Sequence, residues 1–278
     1  MTVLSRENLN NMECTGKPTI SLLGIPFDEK SSFLKGCAKA PPMIRESLFS
    51  FGTNTTAGNG IDISGEIVVD RGDFSIPGLD SIDNIITGFL RRGERVLVMG
   101  GDHSITYPIV RSHAAFFKSF DILHIDAHPD LYDELLGDRY SHACPFARIM
   151  EEKLTSRLVQ AGVRTLNTHQ REQAERFGVE ILPMKHFSPK AVPAFSNPVY
   201  ISIDLDGIDP AFAPGVSHHE PGGLTSREVI DIVSDIRVPV IGGDIVEFNP
   251  DRDQNGITSA LAAKLVKEVL SKMVENGC

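Results

Sequence analysis

Residues 122–130, Ile122-Leu123-His124-Ile125-Asp126-Ala127-His128-Pro129-Asp130, form a short apolar run that closes in two carboxylates and an imidazole. A buried strand should not end in clustered charge, because unpaired charge near a core is costly, and the usual remedy is a cation. The run Val199 to Ile203 ends the same way, at Asp204-Leu205-Asp206, and Val96 to Met99 leads into Gly100-Gly101-Asp102-His103-Ser104. Residues two apart on a strand point to one face, so Asp126 with His128, and Asp204 with Asp206, can each aim at one point. His103, Asp126, His128, Asp130, Asp204 and Asp206 together offer two imidazoles and four carboxylates, enough for two divalent metals with shared oxygens. Without thiolates, such a set suits manganese, magnesium, zinc or iron, and its carboxylate excess leans toward manganese. The four carboxylates balance two divalent ions, and a bridging hydroxide leaves the cluster near −1, which favours a cationic electrophile. One Asp-x-Asp alone is more often a loop carboxylate, and one histidine a hydrogen-bonded core residue; three clusters at strand ends argue for a site.

Outward from these clusters, short apolar runs alternate with helical patterns. Strands are expected at Thr19 to Leu23, Val96 to Met99, Ile122 to Ile125, Leu158 to Gly162, Val179 to Leu182, Val199 to Ile203 and Val238 to Ile241. Helical spacing covers Pro42 to Phe49, Ile82 to Arg92, Tyr107 to Phe117, Gln170 to Phe177, Ser226 to Ile236 and Ser259 to Met273, with Thr225 and Glu228 spaced as a capping box. Strands separated by helices imply right-handed βαβ units and a mostly parallel sheet covered on both faces. No linker or repeat divides residues 1–278, so one α/β domain is expected. Its active site should lie beyond the carboxyl ends of the strands.

The net charge of −10 argues against nucleic acid and anionic membrane surfaces as partners and mildly favours a cationic substrate. No apolar run approaches the ~18 residues of a membrane span. Cys14, Cys37, Cys144 and Cys278 have neither zinc nor disulfide spacing, and no leader is recognisable in the first eighteen residues. A cytoplasmic protein is the resulting expectation.

The motifs Gly-Gly-Asp-His-Ser at 100–104, Asp-Ala-His-Pro-Asp at 126–130, Ser202-Ile203-Asp204-Leu205-Asp206-Gly207-Ile208-Asp209-Pro210, Gly222-Gly223-Leu224-Thr225 and Val246-Glu247-Phe248-Asn249-Pro250 resemble those of the ureohydrolases, the family of arginases and agmatinases. The resemblance runs from about Thr19 to Leu270. It implies a three-layer α/β/α sandwich around a parallel eight-stranded sheet, assembled as homo-oligomers (trimers or hexamers). It also implies two manganese ions, one held by His103, Asp126, Asp130 and Asp204, the other by His128, Asp126, Asp204 and Asp206. The implied reaction hydrolyses a guanidinium to urea and an amine through attack by a bridging hydroxide. His142 matches the family's proton-transfer histidine, and Glu247 the acid that bonds the guanidinium.

Ser31-Ser32-Phe33-Leu34-Lys35-Gly36, Tyr140-Ser141-His142-Ala143 and Pro214-Gly215-Val216-Ser217-His218 are similar to plant-type arginases, so L-arginine is the expected substrate, with agmatine or another guanidino acid as the alternative. Animal arginases carry an asparagine where Tyr132 stands and an aspartate where Asn167 stands, so their carboxylate contacts do not transfer. Tyr132, Asn167, Ser217, His218 and His219 are candidates for the substrate rim, and Cys144 reads as a packing cysteine. A deacetylase of related fold with one zinc would not need both His103 and Asp206. A non-enzymatic metal-stabilised assembly would not need His142 and Glu247.

Overall fold

In chain order the elements are β1 (Ile20–Gly24), α1 (Ala40–Leu48), β2 (Val68–Asp73), α2 (Asp80–Leu90), β3 (Arg95–Met99), α3 (Thr106–Ala114), β4 (Asp121–Ile125), α4 (Pro145–Glu151), β5 (Arg157–Ala161), α5 (Thr168–Phe177), β6 (Glu180–Leu182), β7 (Val199–Asp204), α6 (Ser226–Ser234), β8 (Val240–Val246) and α7 (Ile257–Glu275). The structure, a computed structural model, describes residues 19–275. All eight strands join one sheet in the order β2-β1-β3-β8-β7-β4-β5-β6, each pair parallel. The last two strands of the chain insert between β3 and β4. That insertion sets the carboxyl ends of β3, β8, β7 and β4 side by side at the centre of the sheet.

Period-two alternation sorts the strand residues into two cores. Leu23, Val96, Val98 and Ile122 pack with α2, α3 and α4 on one face. Leu22, Leu97, Met99 and Leu123 pack with α1, α6 and α7 on the other. Because both faces are covered, β1, β4 and β7 are buried along their whole length, the polar residues of β7 included. Helix α6 starts in the expected capping box, with Thr225 and Glu228 each bonding the other's backbone N–H.

Three elements depart from the sequence reading. Strand β2 has two apolar residues among charges, as suits an exposed edge, and carries no strand signal. Strand β8 continues past Ile241 through Gly242 and Gly243 to Val246. Helix α4 is too short at seven residues to display a period, but its buried Arg148 donates to the carbonyls of Asp133 (2.6 Å) and Arg139 (2.9 Å), fixing the loop after β4.

Candidate active site

The four central strand ends deliver the acidic and histidine clusters to one place. Asp126 directly follows β4, Asp204 closes β7, and Asp206 sits in a short 3-10 turn, Leu205–Gly207. The turns, not strand periodicity, therefore bring each pair together. Asp126 Oδ1 accepts from His128 N at 2.6 Å and Asp204 Oδ1 from Asp206 N at 2.8 Å, which holds each turn and turns the Oδ2 atoms inward. Those oxygens face His103 Nδ1 at 3.2 Å each, and Asp130 Oδ2 joins them at 3.0 Å. His128 Nδ1 lies 3.2 Å from Asp206 Oδ2 and 3.4 Å from Asp126 Oδ1. Gly207 is required under this cluster, since a Cβ there would stand 2.7 Å from Asp126 N.

The donor set fits divalent cations. His103 Nδ1 is fully buried without a hydrogen-bond partner, and three carboxylate oxygens surround it. Separations near 3 Å match the edge of an octahedron with bonds of about 2.1 Å. Burial, then repulsion from Asp206 and Asp126, pushes Asp204 well above the usual carboxylate range, and burial with Asp126 pushes Asp130 up to about 6. Burial opposes charge on His103, yet Asp126, Asp130 and Asp204 hold its pKa well above the ordinary histidine value. The cluster carries more negative charge than a core tolerates without a cation.

His124 also lies within ligand distance of His103 and Asp126, but both of its nitrogens are committed. Gln160 Nε2 donates to Pro129 O at 2.7 Å, an oxygen that can only accept, and faces His124 Nδ1 at 2.9 Å. His124 Nδ1 is thus the acceptor, and Nε2–H donates to Asp126 Oδ2 at 2.8 Å. Burial holds its pKa down at about 4, so the ring stays neutral. His124 orients the aspartate.

Beside the cluster stands a second pair. Glu247 follows β8 in the left-handed region (φ 60), which turns its carboxylate inward, and Asp130 is likewise left-handed (φ 49). Glu247 Oε1 accepts from His103 N and from His142 Nδ1, both at 2.9 Å. His142 Nε2 accepts from Ser32 N at 3.2 Å and lies 2.8 Å from Ser32 Oγ. Burial opposes charge on both partners, yet their attraction raises His142 to about 9 and lowers Glu247 to about 2. The buried Cys37 thiol, which the sequence did not single out, reaches Glu247 Oε2 at 3.4 Å. Cys144 is buried against Asp138 O, away from this pair.

A cavity of about 220 Å³ opens over both groups, lined by Ser32, His128, Asp130, Tyr132, Leu135, His142, Ala143, Thr165, Gln170, Asp204, Asp206, His218 and Glu247. Of the rim candidates, Tyr132 and His218 line it. Asn167 does not: its Oδ1 caps α5 by accepting from Gln170 N (2.9 Å) and its Nδ2 donates to Tyr132 Oη (2.5 Å). Ser217 is behind the wall, its hydroxyl donating to Leu34 O and accepting from Asn249 Nδ2. His219 is exposed and bonds Pro214 O. Gln170 is the residue that sequence reasoning missed. It is 2% exposed, lines the cavity, and its side-chain amide has no bond to any described residue.

Comparison with known proteins agrees with this geometry. The Arginase family model matches residues 18–271. The chain is 45% identical to arginase 1, mitochondrial, of Arabidopsis thaliana, over 92% of this chain and 82% of that one. In structure it is similar to arginase from Medicago truncatula (TM-score 0.86, 41% identity, covering 96% of this chain and 91% of that one). It is also similar to agmatine ureohydrolase of Thermoplasma volcanium (TM-score 0.82, 31% identity, 92% and 90% covered). These findings correct the expectation of a cytoplasmic protein, because plant relatives of 42–45% identity are named mitochondrial or chloroplastic. Scattered cysteines indicate reducing surroundings, which is not one address. The fold, the converging clusters and the matches over most of its length together place the chain in the arginase family.

Proposed function

We propose that the protein hydrolyses the guanidinium of L-arginine to L-ornithine and urea at a two-metal centre, preferentially manganese, within one domain that assembles as a homo-oligomer. The observation that carries this reading is the convergence of the six donor residues and the His142–Glu247 pair on one small, acidic cavity. His103, Asp126, Asp130 and Asp204 would hold one ion, and His128, Asp126, Asp204 and Asp206 the other. Bound there, the ions would supply Lewis-acid charge and a water of lowered pKa.

Glu247 Oε1 is occupied by His103 N and His142, whereas Oε2 has only the weak Cys37 thiol donor. That oxygen is placed to accept from a guanidinium, and Glu247 stays ionised at neutral pH. Glu247 raises His142 to about 9 against burial, so once Nε2 exchanges its contact with Ser32 N for a proton, the ring is the acid placed to serve the leaving amine. Among the described residues, no lysine or arginine lines the cavity, so an α-carboxylate would meet neutral donors such as Tyr132 Oη and the Gln170 amide. The same absence favours agmatine, which has no carboxylate, as the second reading. Relatives named arginase at higher identity support arginine as the first.

Urea release from L-arginine by chelator-treated protein, before and after manganese loading, tests the proposal. Activity is expected only after loading, and His142→Ala should retain two metals while losing roughly 10²-fold in turnover. A loaded wild-type protein that releases no urea from L-arginine would overturn it.

A further inference from the structure

We propose that Ser202 and Asp244 are positioning residues for the metal centre, because a buried relay through them fixes His103 in the one tautomer that leaves Nδ1 free to bind a cation. The inference rests on His103 being a metal ligand, as proposed above.

Ser202 and Asp244 are register partners on the adjacent strands β7 and β8. Ser202 Oγ donates to Asp244 Oδ1 at 2.6 Å, and Tyr200 Oη donates to Asp244 Oδ2 at 2.5 Å. A serine hydroxyl has one proton, and a carboxylate only accepts. That proton is therefore used on Asp244, so Ser202 Oγ must be the acceptor in its 3.0 Å contact with His103 Nε2. His103 Nε2 thus carries a ring proton, which leaves Nδ1, facing Asp126, Asp130 and Asp204, as the nitrogen a cation would take.

The relay also accounts for Asp244 itself. It is 0% exposed, and no described lysine or arginine pairs with it. A lone buried carboxylate is destabilising unless its position is needed. Here it sets the polarity of the chain Asp244–Ser202–His103, the arrangement by which a second layer orients a metal-binding imidazole.

Removing the hydroxyl should release the constraint. In Ser202→Ala, Nε2–H loses its acceptor, and the ring can move its proton to Nδ1, where carboxylates accept it and a metal must displace it. Manganese titration by calorimetry is expected to show one of two sites weakened by about 10–100-fold. Ser202→Thr, which keeps the hydroxyl, should bind within a few-fold of wild type. In zinc-loaded protein, ¹⁵N–¹H correlation should find the His103 Nε2–H hydrogen-bonded and slow to exchange in wild type and Ser202→Thr, but shifted and fast to exchange in Ser202→Ala. Wild-type affinity in both Ser202→Ala and Asp244→Asn, or an Nε2–H signal unchanged by Ser202→Ala, would overturn the relay. A wild-type protein that binds no divalent cation would instead remove the ligand reading beneath it.

Discussion

The Gln170 side-chain amide opens into the site cavity with no hydrogen bond to a described residue, so it is free to bond a substrate there. An amide both donates and accepts, so it can meet the carboxylate and the ammonium of an amino acid. Gln170→Ala is expected to raise KM for L-arginine by about tenfold, the scale of one hydrogen bond to a charged group, with kcat little changed. The kcat/KM for agmatine should fall less, and equal losses on both substrates would reduce Gln170 to a packing residue. The signal for this residue was present in the sequence. Asn167 and Gln170 have the spacing of a helix N-cap and its third residue, but the apolar helical pattern begins only at Gln170 itself. The donor clusters were legible because charge at the end of an apolar run is improbable without a purpose. The layer behind them was not, since Ser202, Asp244 and Gln160 look like ordinary strand residues until their partners are known.

Helix α3 and strand β8 show why local pattern reading stopped early in one element. Gly242 and Gly243 resemble a break, yet a Cβ at 242 would overlap the His113 ring, and one at 243 would come within 2.5 Å of Ile201 O. Both glycines answer contacts from elsewhere in the chain. Six of the seven strands legible in sequence are mostly buried apolar runs, whereas the edge strand β2 lacks that pressure. His113 in α3 gives this packing a pH dependence. Its Nδ1 donates to Ile109 O at 2.9 Å, its Nε2 is buried unpaired, and burial lowers its pKa to about 4. The neutral ring is the native form, so its contribution is complete above the unfolded value near 6.5 and is lost as pH falls toward 4. Unfolding measured from pH 7 to 4.5 should therefore show wild type losing more stability than His113→Gln, by up to about 3 kcal/mol. Parallel stability profiles for the two proteins would contradict it.

At the scale of the whole molecule, the order β3-β8-β7-β4 is what makes the site, because strands distant in sequence end together. Clustered carboxylates at that junction make the centre of the sheet dependent on cations. Chelation is expected to lower the melting temperature by roughly 5–10 °C, and manganese to restore it, given about 2.7 kcal/mol per site at a hundredfold excess over Kd. A melting temperature indifferent to chelator and metal would argue against cations at this junction. The central claim is that this architecture hydrolyses arginine, and kcat/KM for L-arginine and agmatine, measured side by side on manganese-loaded protein, tests it most directly. A strong preference for L-arginine, with urea as product, is the expected result. A preference for agmatine would contradict it, while leaving the metal centre and the His142–Glu247 pair as the machinery of a different substrate.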